Sequence, residues 1–129
     1  MSGEELIAYC LDKKGAYKDF PFGKDCTVIK VEKKIFAQVF TLKGKPSATL
    51  NCDRMTGDFY RTLYKDIIVR GYHCPPVQQP YFNTFPLDGS VPDDLIKEMA
   101  EHSYSVAVGK LPKYVRKRLI ESEERPTEK

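Results

Sequence analysis

The 129-residue chain is long enough for one domain with a core and leaves little room for a second. Its composition, 41% hydrophobic and 30% charged, is typical of a globular protein and excludes a disordered or membrane-embedded chain. The net charge is only +3, but the charge is unevenly distributed. Residues 23–74 carry ten basic and five acidic groups, and residues 110–129 carry seven basic and four acidic groups. The segment between them, residues 75–109, is acidic, with one basic and five acidic groups.

The first predicted element is a helix. Ser2 and Glu5 form the capping pattern S-x-x-E, which satisfies backbone N–H groups at a helix start. Apolar residues then recur at helical spacing, at Leu6, Ile7, Cys10 and Leu11. Residues 15–23 have a glycine at each end, contain Pro21 and include three aromatic residues. We therefore expect an ordered aromatic loop there.

Three runs rich in β-branched and aromatic residues follow and predict strands at residues 27–31, 35–42 and 47–52. Connections of three and four residues separate them, and such short connections join antiparallel neighbours. Asp53 is a suitable cap for a second helix. We expect that helix to bury an apolar stripe formed by Met55, Phe59 and Leu63, with Tyr60 beside it.

Residues 67–74 and 81–87 predict two more strands, joined by the proline-rich segment 75–80. Ser90 and Asp93, with Pro92 in the first turn, predict the start of the longest helix. Its buried stripe is expected to contain Leu95, Ile96, Met99, Ser103, Val106 and Ala107. A short helix over residues 113–120 follows, and the polar tail 121–129 is expected to fray.

These elements predict an α+β fold of one domain over residues 1–120. Its order is α-β-β-β-α-β-β-α, with a further short helix at the end. The expected architecture is a two-layer sandwich in which helices cover one face of an antiparallel five-stranded sheet.

No group of residues in the sequence indicates catalysis, so we expect a protein that is not an enzyme and holds no cofactor or metal. His73 and Cys74 are adjacent and would point to opposite faces of a strand. His102 lies beside the stripe of the long helix, where a structural histidine is the more common role. Asp93 and Asp94 are explained by the dipole at a helix start.

The four cysteines are widely spaced, without a C-x-x-C pair, and the amino terminus lacks the features of an export signal. We therefore expect free thiols and a cytoplasmic location. The longest uncharged run, residues 71–87, contains four prolines and is too short to span a membrane, so no membrane partner is expected.

Two basic clusters are the remaining functional signal, because lysine and arginine are the residues that contact nucleic-acid phosphates. The first lies on or beside the first three strands, at Lys30, Lys33, Lys34, Lys43 and Lys45. The second contains Lys110, Lys113, Arg116 and Lys117, followed by Arg118. The alternative is a solvated lysine-rich surface, which also discourages strand edges from pairing.

Several motifs together resemble the MmcQ/YjbR family. They are ELIAYCL (5–11), GAYKDFPFG (15–23), LNCD (50–53), GYH (71–73), NT (83–84), LDGS (87–90), HSY (102–104) and KLPK (110–113). The resemblance extends from residue 3 to about residue 120. One segment departs from it: residues 74–82 form a longer, proline-rich loop that lacks the basic residue, second histidine and tryptophan found there in family members.

The resemblance implies a small bacterial protein with an α+β fold of the kind compared with CyaY and with secretion chaperones. It also implies the family's usual description as DNA-binding. We therefore expect weak, phosphate-directed and sequence-independent DNA binding. The alternative is a protein-interaction or chaperone-like module, which pairs with another protein or with itself through the region of Tyr72, Tyr81, Phe82 and Phe85 and has no nucleic-acid role.

Overall fold

The structure, a computed structural model, describes residues 1–71 and 74–124. Four α-helices are present in these residues: α1 (Gly3–Leu11), α2 (Arg54–Leu63), α3 (Asp93–Gly109) and α4 (Lys113–Glu124). The strands are β1 (Ala16–Asp19), β2 (Thr27–Val31), β3 (Lys34–Leu42), β4 (Lys45–Asn51), β5 (Val69–Arg70) and β6 (Phe82–Pro86). A 3₁₀ turn, Gln79–Tyr81, precedes β6.

The strands form one antiparallel sheet in the order β1-β2-β3-β4-β6-β5. The α+β class and the antiparallel sheet are as expected, but the prediction of five strands was wrong. The sixth strand is β1, which lies in the segment expected to be an aromatic loop. It pairs with β2 from Ala16 opposite Val31 to Asp19 opposite Val28. The element order is therefore α-β-β-β-β-α-β-β-α-α.

Two tight turns set the register of the central strands. Glu32 and Lys33 connect β2 to β3 with positive φ angles of 47° and 69°. Lys43 and Gly44 connect β3 to β4 with φ angles of 51° and 79°. Two consecutive positive φ angles are typical of the hairpin turns whose twist matches that of the strands. Each turn thus places a lysine at the tip of a hairpin.

The strand predicted over residues 67–74 is much shorter in the structure. β5 contains only Val69 and Arg70, which pair with Thr84 and Asn83 of β6. Ile68 is buried just before it. Tyr72 and His73, which belong to the same prediction, lie outside the described residues. The predicted fraying of residues 125–129 also lies outside them, whereas α4 continues to Glu124.

The core lies between the sheet and helices α1 and α3. Leu6 and Cys10 of α1 and Ile96, Met99 and Ala107 of α3 are buried there. The two helices run in the same direction, because the amino group of Met1 contacts Asp93 at 2.7 Å and the Tyr9 hydroxyl donates to Glu101 at 2.6 Å. Ser103, predicted on the same stripe, donates from its hydroxyl to the Phe36 carbonyl and accepts from the Asn51 N–H.

Two of the three predicted helix starts are confirmed. Ser2 and Glu5 form the reciprocal capping box of α1, and the Asp53 carboxylate accepts from the Thr56 N–H at 2.7 Å. The predicted cap at Ser90 was wrong. Its hydroxyl bonds to Asp88 in the preceding turn, and Pro92 occupies the cap position of α3 without a side-chain hydrogen bond.

The expected buried face of α2 was also wrong. Met55, Phe59 and Leu63 form the predicted stripe at helical spacing, but all three side chains are exposed. The buried residues of α2 are Gly57 and Tyr60. The rotation of this helix is determined by polar contacts, described below, that its local sequence pattern does not show.

Candidate nucleic-acid interface

The two lysine-bearing turns lie at opposite ends of β3. This strand begins at Lys34, directly after the first turn, and ends at Leu42, directly before the second. Nine residues of extended chain span roughly 30 Å. The lysine pair Lys33 and Lys34 is therefore separated from the pair Lys43 and Lys45, and the fold does not bring the whole first cluster together.

Helix α4 lies beside the first of these turns. The Arg118 guanidinium pairs with the Glu32 carboxylate at 2.8 Å. The Lys14 ammonium donates to the Ile120 carbonyl at 2.8 Å, and Leu119 packs against Gly15. The carboxyl-terminal end of α3, which leads into α4, is held there by the Tyr104 hydroxyl, which donates to the Lys14 carbonyl at 2.6 Å.

The structure thus brings α4 beside the β2–β3 turn, so that residues from two distant parts of the sequence lie on neighbouring elements. We call the predicted cations of these elements the basic end: Lys33, Lys34, Lys110, Lys113, Arg116 and Lys117. All are exposed except Arg116, which is half-buried. The nearby Glu32 carboxylate is paired with Arg118, so it does not offset the charge of these six residues.

The burial pattern of α4 leaves its cations in solvent. Val115 and Leu119 are buried, and Leu111 is buried just before the helix starts. Lys113 and Lys117, one helical turn apart, are exposed on the other side. The predicted division between an apolar and a basic side of this segment is confirmed.

Lys30 has a different environment from the other predicted contacts. Its ammonium bonds to the Asp19 carboxylate of β1 at 2.7 Å, and its side chain is only 19% exposed. This hydrogen bond raises the pKa of Lys30 and lowers the pKa of Asp19. Lys30 therefore connects β1 to β2 and is already paired within the chain.

One candidate group for catalysis, His102, has a structural role. His102 accepts the Asp53 N–H at its Nε2 atom, 3.1 Å away, and so supports the start of α2. Burial raises the pKa of the Cys10 thiol to about 12 and that of the Cys52 thiol to about 11. These pKa values oppose formation of the reactive thiolate at neutral pH.

The four cysteines are free thiols, as expected. Within residues 1–71 and 74–124, there is no cluster of three or more histidine, cysteine, aspartate or glutamate side chains that could hold a metal ion. None of the helices in that part of the chain is both long and apolar enough to cross a membrane.

A second basic surface was missed at the sequence level. Arg54, Arg61 and Arg70, with Met55 and Asp58, line an open cleft of about 520 Å³ between α2 and the edge strand β5. Arg70 comes from a strand that the sequence placed only approximately, so no local spacing indicated this grouping. Arg61 already has hydrogen-bond partners within the chain. Its Nη1 atom donates to the Asn83 side-chain oxygen at 2.6 Å and to the Pro80 carbonyl at 3.2 Å.

Two solved structures of bacterial proteins have a similar fold. Deinococcus radiodurans protein DR2400, described as carrying the domain DUF419, has a TM-score of 0.81 and 26% identity, over 92% of this chain and 87% of that chain. A Pseudomonas syringae protein has a TM-score of 0.70 and 19% identity, over 83% and 99% of the two chains. At 19% identity, the second likeness concerns the fold alone.

Sequence comparison is more specific. The YjbR family model matches residues 11–106. Two Escherichia coli proteins, from strains K12 and O157:H7, are each named uncharacterized protein YjbR. Both are 31% identical to this chain over 121 residues, which cover 94% of the chain and 99% of the relative. The family matched is the one that the sequence motifs indicated, and the chain belongs to the YjbR family.

Proposed function

We propose that this protein binds nucleic acid through the basic end, by contacts to phosphates and without catalysis. The observation that supports the proposal is that α4, which carries most of the second basic cluster, lies beside the turn that carries Lys33 and Lys34 of the first, nearly 80 residues earlier in the sequence. The Arg118–Glu32 ion pair joins α4 to the β2–β3 turn. Two separate elements thereby present exposed cations in the same region.

The chemistry of the basic end favours phosphate over base recognition. Five of its six residues are lysines, which act as point charges on flexible stems, whereas base edges are read mainly by forked arginine and by amide side chains. Binding of this kind is independent of sequence and has a dissociation constant of roughly 10⁻⁴–10⁻⁶ M at physiological salt. We infer the same range here.

The second lysine turn provides a matched control. Lys33→Glu with Lys34→Glu changes the net charge by the same amount as Lys43→Glu with Lys45→Glu, and each pair lies at a hairpin tip. If phosphates contact the basic end, the first double variant lowers affinity and flattens the slope of log affinity against log salt by about two units. The second double variant retains most of the wild-type slope.

The measurement is fluorescence anisotropy with labelled duplex and single-stranded oligonucleotides over a salt series. Lys113→Glu with Lys117→Glu tests the α4 part of the surface, and we expect it to behave like the variant at Lys33 and Lys34. Equal losses in all three double variants would mean that net charge alone governs binding. Wild-type protein that fails to bind at ~100 μM in low salt would refute the proposal.

The alternative function as a protein-interaction module also has an observation in its favour, though on a different surface from the expected one. Phe85 is buried in the core and is not available to a partner. The exposed apolar side chains of α2 are the better candidate.

A further inference from the structure

The cleft between α2 and β5 is built around Arg61, whose side chain is only 10% exposed. The rotation of α2 is fixed by the Tyr60 hydroxyl, which donates to the Glu98 carboxylate of α3 at 2.7 Å, and by the bonds of Arg61 Nη1 described above. The Nη2 atom of Arg61 is buried and has no hydrogen-bond partner in the part of the chain that the structure describes. Because a buried donor on a charged group is costly to leave unpaired, Nη2 is suited to an acceptor from outside the chain.

Asp58, one helical turn before Arg61, does not satisfy this donor. Its Oδ1 atom lies 3.8 Å from Arg61 Nη2, which is an ion-pair distance but too long for a hydrogen bond. The Asp58 side chain is 69% exposed, so it can rotate into solvent and leave Nη2 to the oxygen of a ligand.

Two more arginines line the same cleft. Arg70 lies directly opposite Asn83 in the β5–β6 pair, and opposite residues of an antiparallel pair have Cβ atoms about 5 Å apart on one face. Since Arg61 bonds to the Asn83 side chain, its guanidinium lies beside Arg70. Arg54, in the first turn of α2, is the third.

The positions of these arginines are unfavourable for the fold itself. The dipole of α2 opposes a cation in its first turn, where Arg54 lies. Guanidinium groups that line one cleft also repel each other. Asp58 is the one acid among the described residues that line the cleft, so three arginines and one aspartate leave a charge of +2. An anionic ligand would offset both costs.

We propose that this cleft binds a small organic phosphate monoester, whose phosphate contacts Arg61 and Arg70 with Arg54 at the rim. A monoester phosphate carries a charge of about −2 at neutral pH and three strong acceptor oxygens. It therefore matches the charge of the cleft and the forked donors of arginine. A carboxylate or a phosphate diester carries only one negative charge.

The size of the cleft indicates that the ligand has an organic part. Its volume of about 520 Å³ is within the range of small-molecule sites and far exceeds that of a phosphate group. Met55, which is 84% exposed, adds an apolar side chain to the lining. The described lining contains no residue of the basic end, so this inference does not rest on the proposed nucleic-acid binding.

Phenyl phosphate is the probe, titrated at about pH 8, where a phosphate monoester is dianionic. Binding to the full chain is followed by the backbone amide signals in two-dimensional NMR, and we expect the shifts to concentrate at residues 54–61 and 69–71. Benzoate and methyl phenyl phosphate keep the ring with a single negative charge, and inorganic phosphate lacks the ring. We expect each of the three to bind at least about tenfold more weakly.

Matched variants test the residues. Arg70→Gln should weaken phenyl phosphate binding by at least about tenfold. Lys18→Gln is the control, because it removes the same charge at an exposed position of β1, the opposite edge strand of the sheet, and it should leave the affinity unchanged. Arg54→Gln should weaken binding without lowering the temperature of thermal unfolding, since the helix dipole opposes a cation there. Asp58→Asn should tighten binding, because it removes the competing carboxylate.

The proposal fails if ~10 mM phenyl phosphate produces no shifts at the cleft, since a specific site of this kind is occupied at that concentration. It also fails if folded Arg70→Gln and Lys18→Gln lose affinity equally, or if benzoate, the diester or inorganic phosphate binds as tightly as phenyl phosphate. Lys33→Glu with Lys34→Glu should bind phenyl phosphate like the wild type. The failure of this proposal is thereby distinguished from the failure of nucleic-acid binding at the basic end.

Discussion

Gly57 lies where any side chain would clash with neighbouring atoms. Glycine in a helix interior normally costs about 1 kcal/mol relative to alanine. Here, however, a methyl group would meet the Cys52 sulfur at 2.4 Å and Arg61 Nη1 at 3.0 Å. The close approach of α2 to the end of β4 therefore requires glycine at this position.

We expect Gly57→Ala to lower the free energy of unfolding by about 1–3 kcal/mol, because overpacking outweighs the gain in helix propensity. The measurement is urea denaturation. Gly109→Ala is the control, since nothing lies within 4 Å of its added Cβ, and it should be neutral or stabilising by about 0.5 kcal/mol. Cys52→Ala should reduce the cost of Gly57→Ala; two independent, additive effects would contradict the steric explanation.

The thiols are predicted to differ in reactivity. Burial raises the pKa of Cys10 to about 12 and of Cys52 to about 11, so very little of either is thiolate at pH 8. Cys26 and Cys74 are only half-buried, although burial raises their pKa values as well. In native protein a thiol reagent at pH 8 should modify Cys26 and Cys74 first. Modification of all four is expected in denaturant.

Peptide mapping by mass spectrometry after timed labelling identifies the modified residues. Labelling of Cys10 or Cys52 at the rate of Cys26 would show that the helix layer opens readily. Such a result would contradict the burial of these two thiols against the sheet.

At the scale of elements, α3 is a helix whose buried face could be predicted from sequence periodicity alone. Its buried residues include Met99 and Ser103, both on the predicted stripe, while Lys97 is exposed. We expect Met99→Ala to cost about 2–5 kcal/mol of unfolding free energy, because it leaves a cavity in the core. Lys97→Ala should change stability by less than about 0.5 kcal/mol. Thermal or urea unfolding of both variants checks the phase of the helix, and equal losses would contradict it.

Elements whose positions depend on distant contacts were predicted less well. The caps at Ser2 and Asp53 are local, and both were predicted from the sequence. β1 was missed because the four residues AYKD become a strand only by pairing with β2. α2 was predicted at the right residues but with the wrong face buried. Tyr60 and Arg61 bond to residues more than 20 positions away in the sequence, and Gly57 packs tightly against Cys52. Sequence periodicity shows neither kind of contact.

At the scale of the whole molecule, topology decides which basic residues act together. β3 separates the two lysine turns, while the parallel α1 and α3 helices bring α4 to the first turn. The sequence identified all six residues of the basic end. It did not show that Lys43 and Lys45 lie at the far end, because that depends on which turn receives α4.

The same topology determines how α2 lies relative to the basic end. α2 begins near the start of β3, where Asn51 donates to the Ile35 carbonyl, and it leads to Asp66 and Ile67, which share a cleft with Leu42 at the end of β3. It therefore runs from the basic end toward the opposite end of the domain. Its exposed side chains therefore lie apart from the cations of α4.

We therefore expect a charge on the exposed face of α2 to leave nucleic-acid binding unchanged. Phe59→Glu should change the affinity for a 12-base-pair duplex by less than about twofold, since Phe59 is exposed on α2 and that helix contributes no residue to the basic end. Lys33→Glu with Lys34→Glu should weaken binding. Anisotropy measures both affinities, and thermal unfolding shows that both variants fold. Loss of duplex binding in a folded Phe59→Glu variant would show that α2 belongs to the nucleic-acid surface.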